Sequence, residues 1–301
     1  MKAAFVFPGQ GAQYTGMGKS LREASPAAAA VFARADAIRP GTSEQCFTGS
    51  LEELTVTKNT QPCMFTVEMA AAAALEEAGI VPAAVAGFSL GEISALTLAG
   101  MVPFEEGFRL VCSRGAFMQE ASDAVDSSMA AVLKLTDEQV RALAAKYEHV
   151  YPVNYNCPGQ VSCAGLRDEL TAFCADVKAA GGRAVPLKVA GAFHSPFMAP
   201  AAEKLAALLE TCTLQEPRMD LYSDCTGTVY APDYKELISR QVCNPVRWQT
   251  IVENMAAAGI DTFIEVGPGK TLCGLIKKTL PEARTFAAGE MDGVRAAAEE
   301  M

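Results

Sequence analysis

The segment Ala84-Val85-Ala86-Gly87-Phe88-Ser89-Leu90-Gly91-Glu92 runs from an apolar stretch into a serine flanked by glycines, then into helical pattern. Residues 84–88 read as a strand and 90–99 as a helix, so Ser89 falls on the turn between them, the context of a nucleophile elbow. Such a turn strains the serine backbone and crowds the positions two residues either side, which favours glycine at both. The serine hydroxyl is thereby lifted above the helix amino terminus, where free N–H groups and the helix dipole stabilise developing negative charge. A glycine-rich turn with a helix-capping serine is the plainer alternative.

Further apolar runs at 3–7, 219–223 and 262–266 are each followed by turn residues, and helical punctuation is legible around them. Ser25 and Pro26 open a helix that stops at Pro40 and Gly41, and Pro62 opens another that stops at Gly79. Between about 124 and 189 the rhythm changes to strand 129–135, helix 137–146, strand 150–156, strand 160–164, helix 167–180 and strand 183–187, a βαββαβ order. The expected fold is α/β: a large α/β-hydrolase-like domain formed by 1–123 and 190–301, with a small ferredoxin-like (βαββαβ) subdomain inserted at 124–189.

The 301 residues carry 35 acidic and 25 basic side chains, a net charge of −10, so the broad basic field of nucleic-acid or anionic-membrane binders is missing. Half of the residues are hydrophobic, yet no run approaches a membrane span. The ten cysteines are scattered without a CxxC pair and read as reduced, mostly buried thiols of a cytoplasmic protein. The run 3–7 ends at Pro8, too short for a signal-peptide core.

A serine nucleophile needs a base, and the chain holds two histidines, His149 and His194. His149 closes the charged segment KYEH and reads as a solvated helix end, whereas His194 lies in the apolar loop VAGAFHSP. No acidic residue is placed by sequence to orient His194; a backbone carbonyl accepting its Nδ1 proton can do the same work. Arg114, on a helix expected over 104–120 with Met118 one turn later, offers a guanidinium that can grip a carboxylate through two parallel hydrogen bonds. Two glycine-rich leads fail: GPGKT at 267–271 has Ile264 where a phosphate loop needs glycine, and Tyr14 replaces the third glycine of a dinucleotide motif.

The ensemble FVFPGQGAQ (5–13), GFSLGE (87–92), SRG (113–115), NYNCPGQ (154–160), GAFHSPFM (191–198), RQVCNPVRW (240–248) and EVGPGKTL (265–272) closely resembles the malonyl-CoA:acyl carrier protein transacylases, in family order and across nearly the whole chain. The resemblance implies Ser89 as nucleophile, His194 as base, Arg114 as ligand of the malonyl carboxylate, and Gln241 as donor of the carbonyl that orients His194. It further implies an oxyanion hole from the N–H groups of Gln10 and Leu90, with Met118, Phe193 and Asn154 or Asn156 lining the acyl pocket and Phe193 disfavouring branched acyl groups. Phe88, where the family more often has histidine, and Cys157, where serine is common, depart from the pattern without removing a reacting group.

The implied substrates are malonyl-CoA and the phosphopantetheine thiol of acyl carrier protein, with no permanently bound cofactor, no metal, and no nucleic-acid or membrane partner. A cytoplasmic monomer supplying fatty acid elongation is expected, and Lys188, Lys277 and Lys278 are candidates for meeting an acidic carrier. A serine esterase or thioesterase shares the elbow, but such hydrolases carry their histidine near the carboxyl terminus, and none follows His194. A carrier-docking module without catalysis is the third reading.

Overall fold

The computed structural model describes residues 2–301; Met1 lies outside the described residues. The described residues form nine strands: β1 (Ala3–Phe7), β2 (Ala84–Gly87), β3 (Ser127–Leu133), β4 (Val150–Cys157), β5 (Gln160–Leu166), β6 (Arg183–Pro186), β7 (Asp220–Tyr222), β8 (Thr262–Glu265) and β9 (Arg284–Ala287). They make two sheets: a five-stranded one in the order β7-β2-β1-β8-β9, parallel throughout, and a four-stranded antiparallel one in the order β4-β5-β3-β6.

All five residues of β1 are buried, as a central parallel strand covered on both faces requires. Alternation sorts them: Phe5 and Phe7 join the core shared with the helices Pro26–Ile38, Thr57–Glu77 and Phe104–Asp123, while Ala4 and Val6 face a second core with Trp248, Ile251 and Met255. A third core, holding Val132, Val140, Val161, Phe173 and Val177, belongs to the antiparallel sheet and its two helices. That sheet is pinned to the parallel one through β4: Tyr155 N–H donates to the Val246 carbonyl and Val246 N–H to the Val153 carbonyl.

The strand order reverses between β1 and β8, and ligands of parallel sheets bind in the crevice beyond the carboxyl ends of the strands at such a reversal. A cavity of about 220 Å³ lies there, lined by Gln10 and Phe88 from the loops after β1 and β2 and by Leu272 from the helix after β8, and roofed by Asn154, Asn156 and Ser162 of the antiparallel sheet.

Several expectations need correction. Pro62 does not open its helix: the helix begins at Thr57, and the proline sits in its second turn. The turn before it is fastened from outside, by Thr57 N–H donating to Gln119 Oε1 and by Thr60 Oγ1 donating to the Leu54 carbonyl, so the bond that Pro62 lacks is not decisive. The strand expected at 129–135 is displaced to Ser127–Leu133 by its antiparallel register with β5. His149 does not end a helix, since that helix stops at Ala144; the histidine is half-buried, bonded through Nδ1 to Glu169 at 2.8 Å and stacked on Phe197. All ten cysteines are free, but only four are buried; the other six stand half-buried on helix flanks and turns. Among the described residues, no helix is long and apolar enough to cross a membrane.

Candidate active site

β2 ends at Gly87 and the next helix begins at Gly91, leaving three residues for the reversal. A Cβ on Gly87 would lie 1.9 Å from the Gly91 carbonyl carbon, and one on Gly91 would lie 2.3 Å from the Phe7 carbonyl oxygen, so neither position admits a side chain. Between them Ser89 is forced into the left-handed region with φ of 57°, a strained conformation of the kind stored at functional sites.

His194 reaches this serine from a sequence distance of 105 residues: its Nε2 lies 2.7 Å from Ser89 Oγ. Its Nδ1 lies 2.9 Å from the Gln241 carbonyl oxygen and 3.1 Å from that of Asn244. Two carbonyl neighbours fix the tautomer, because Nδ1 must carry the hydrogen and Nε2 is left as an acceptor for the serine proton. The backbone supports the same placement, with His194 at φ of 62° and its N–H donating to the Val242 carbonyl. Burial and the nearby Arg114 charge push the imidazole down to about 4, so the ring is neutral near pH 7.

Arg114 is 1% exposed. Its Nη1 donates to Gln61 Oε1 at 2.9 Å, while Nη2 donates to Gln241 Oε1 at 2.6 Å and to Ser89 Oγ at 3.1 Å. Nε has no partner among the described residues, a buried cationic donor with spare capacity for an anion. Burial pulls the guanidinium down to about 10, opposed by Glu92 and Asp224, and it stays charged near neutrality.

The loop after β1 lies against the elbow, since a Cβ on Gly9 would stand 2.8 Å from the Phe88 carbonyl oxygen. The next residue, Gln10, and the residue after the serine, Leu90, have backbone N–H groups without partners among the described residues. Asn154 and Asn156 are buried beside the same cavity, each with an unpartnered Oδ1. Met118 sits one step back: its sulfur accepts from Gln61 Nε2 at 3.3 Å, so it braces the glutamine that holds Arg114. Phe193 is buried next to His194, and neither it nor Met118 lines the cavity. Phe88 does, with its ring 5.6 Å from that of Trp248. Of the three lysines, Lys278 touches the cavity rim through Gln160 at 3.1 Å.

Several participants went unmarked in the sequence: Gln61, Asn244, Glu92 and Asp224. Glu92 is fully buried in the first turn of the elbow helix; it accepts from Tyr230 Oη at 2.8 Å and from Asp224 N–H at 3.0 Å. Asp224 Oδ2 accepts from Ser89 N–H at 2.7 Å. Burial pushes both carboxyls up; the Glu92 charge adds to the rise at Asp224, whereas the Asp224 N–H bond to Glu92 opposes the rise there. Glu92 was visible in GFSLGE, and Asp224 stands just past a strand at the sheet edge where ligands bind, the one signal that pointed to it.

The family model for the acyl transferase domain matches residues 4–296. This chain belongs to the acyl transferase family. Among acyl transferases it is 39% identical to the malonyl CoA-acyl carrier protein transacylase of Bacillus subtilis (strain 168), over 98% of this chain and 96% of that one. It is also 39% identical to the protein of that name from Escherichia coli (strain K12), over 98% of each chain. In three dimensions this acyl transferase matches the malonyl CoA-acyl carrier protein transacylase of Clostridium perfringens with a TM-score of 0.95 at 36% identity, covering 100% of this chain and 97% of that one. It matches a malonyl-transacylase solved in complex with its holo type II PKS acyl-carrier protein with a TM-score of 0.96 at 34% identity, both chains covered in full.

Proposed function

We propose that this acyl transferase moves the malonyl group of malonyl-CoA to the phosphopantetheine thiol of acyl carrier protein through a malonyl-serine intermediate, supplying fatty acid elongation. The contact that carries the reading is Ser89 Oγ held between His194 Nε2 at 2.7 Å and the Arg114 guanidinium at 3.1 Å. Together they place a nucleophile, its base and an anion ligand around one oxygen.

The thioester carbonyl of malonyl-CoA enters beside Ser89, and Oγ attacks its carbon while His194 Nε2 takes the hydroxyl proton. The N–H groups of Gln10 and Leu90 receive the oxyanion, each contributing about 3 kcal/mol in the transition state. His194 then returns the proton to the CoA sulfur as the C–S bond breaks. The carrier thiol repeats the sequence in reverse: His194 takes its proton, the sulfur attacks the malonyl ester, and Ser89 recovers its hydrogen.

Arg114 holds the free carboxylate of the malonyl group throughout. Its unpaired Nε–H supports this role, since an acetyl group leaves a buried cation without an anion. Asn154, with its orphaned acceptor, is suited to an N–H of the pantetheine amides, and Met118 and Phe193 shape the acyl site from behind its polar lining.

We read the parallel-sheet layers, 1–123 and 190–301, as an α/β-hydrolase-like domain and 124–189 as an inserted ferredoxin-like subdomain, on the strength of the β4-β5-β3-β6 order and the separate core. Transfer of radiolabelled malonyl from malonyl-CoA to holo acyl carrier protein, run beside a free-malonate assay, tests the function. Label on the carrier with little free malonate is expected; free malonate with an unlabelled carrier would mean a thioesterase.

A further inference from the structure

A non-glycine residue held at positive φ needs its peptide groups tied down by the surroundings. At Ser89 much of that tying is done by two side chains that arrive from more than 130 residues away. The N–H donates to Asp224 Oδ2 at 2.7 Å, and the C=O, besides closing the first turn of the helix, accepts from Gln241 Nε2. Gln241 Nε2 lies 3.2 Å from Asp224 Oδ2 as well, so aspartate, glutamine and the Ser89 peptide groups form a closed polar ring.

Beyond the Ser89 hydroxyl itself, Gln241 ties that ring to both of the serine's partners. The carbonyl of this residue holds His194 Nδ1 and its side-chain oxygen holds Arg114 Nη2. Asp224 is fixed in turn by its own backbone, with its N–H donating to Glu92 Oε1 and its C=O accepting from Arg247 N–H at 2.9 Å. The side chain is fully buried and its other oxygen, Oδ1, has no partner among the described residues. A buried carboxyl with one oxygen idle is costly. Both hydrogen bonds it does accept go to groups that set where the nucleophile and its partners stand.

We propose that Asp224 is a positioning residue for acyl transfer: by accepting from Ser89 N–H and Gln241 Nε2 on one oxygen, it holds the nucleophile in register with His194 and Arg114. The proposal rests on Ser89 being the nucleophile. An asparagine at 224 keeps a carbonyl oxygen for both donors, whereas an alanine leaves Ser89 N–H without its acceptor and Gln241 Nε2 with the Ser89 carbonyl alone.

The test measures single-turnover malonylation of Ser89 by saturating malonyl-CoA, recording rate constant and burst amplitude separately, in the wild type, Asp224→Ala and Asp224→Asn. Asp224→Ala is expected to slow the acylation rate constant about 100-fold, the scale of an ångström-level misplacement, with a full burst and KM within a few-fold. Asp224→Asn is expected to recover to within about ten-fold of the wild type. In protein labelled with ¹⁵N-serine, the Ser89 amide proton should stand downfield in the wild type and Asp224→Asn and move upfield in Asp224→Ala.

A reduced burst at the wild-type rate constant would show that Asp224 only keeps molecules folded and would overturn the proposal. If Asp224→Ala does not fold, Asp224→Asn decides: a folded protein slowed 100-fold overturns positioning by acceptance, and near-normal acylation with the downfield amide supports it. A wild type that forms no malonyl adduct would sink the function instead, so the two failures are distinguishable.

Discussion

At the carboxyl ends of β1, β2 and β8, buried polar side chains are bonded one to the next: Gln61 to Arg114, Arg114 to Gln241, Gln241 to Asp224 and Ser89, and Ser89 to His194. The antiparallel sheet is built the other way, around an apolar core of Val132, Val140, Val161, Phe173 and Val177. It offers the cavity one face, with Asn154 and Asn156 of β4, Gln160 and Ser162 of β5 and Ala131 of β3. In the first region a displaced atom is felt through a chain of directional contacts; in the second, packing can relax without disturbing the reacting atoms. Chemistry and wall are thereby separated within one chain, and single changes should sort accordingly.

The largest effect belongs to the network's centre. Ser89→Ala removes the proposed attacking oxygen and should lower malonyl transfer by at least about 10⁴-fold, while circular dichroism and melting temperature stay near those of the wild type. Transfer that survives would put the nucleophile elsewhere.

Arg114→Ala comes next, because the buried anion loses its partner at a cost of about 3 to 5 kcal/mol. Steady-state kcat/KM for malonyl-CoA should fall by about 10²–10⁴-fold, with acetyl-CoA affected far less. An unchanged malonyl-to-acetyl ratio would remove Arg114 from substrate selection.

The pH profile gives a subtler reading. In the proposed mechanism His194 acts as a base only when neutral, and burial with the Arg114 charge lowers its pKa to about 4. The neutral form therefore persists well below the ordinary histidine value of about 6.5. Acylation by malonyl-CoA should stay level from pH 8 to about 5 and decline through about 4. An inflection near 6.5 would mean that the ring is solvated in the working enzyme.

Smallest at the active site, though not for the fold, is Phe173→Ala. Emptying the third core should cost about 3 to 5 kcal/mol of stability, read as a lowered denaturation midpoint, with kcat within two-fold of the wild type below the transition. A large loss of kcat in folded protein would erase the contrast between the two regions.

Legibility in the sequence follows the same division. Strands such as β1 and β8, the elbow, and the βαββαβ order were readable because they rest on local period and punctuation. His194 was readable for a different reason, there being two histidines to choose from. Gln61 and Asp224 were not, since their roles arise from contacts across 53 and 135 residues that packing alone decides. Pro62 misled because proline is usually a helix-opening signal, and here tertiary contacts at Thr57 and Thr60 carry the helix across it. Gln241 was half legible: its carbonyl followed from the family pattern, whereas its side chain, which joins Arg114, Asp224 and Ser89, came only with the fold.

In the proposed mechanism one serine oxygen, set among His194, Arg114 and two free amides, carries the malonyl group between two thiols. Intact-protein mass spectrometry after mixing with malonyl-CoA, then with holo acyl carrier protein, tests it most directly. A single malonyl adduct is expected on the wild type, none on Ser89→Ala, and discharge to the carrier rather than to water. An adduct that persists in Ser89→Ala, or one that only water removes, would contradict it.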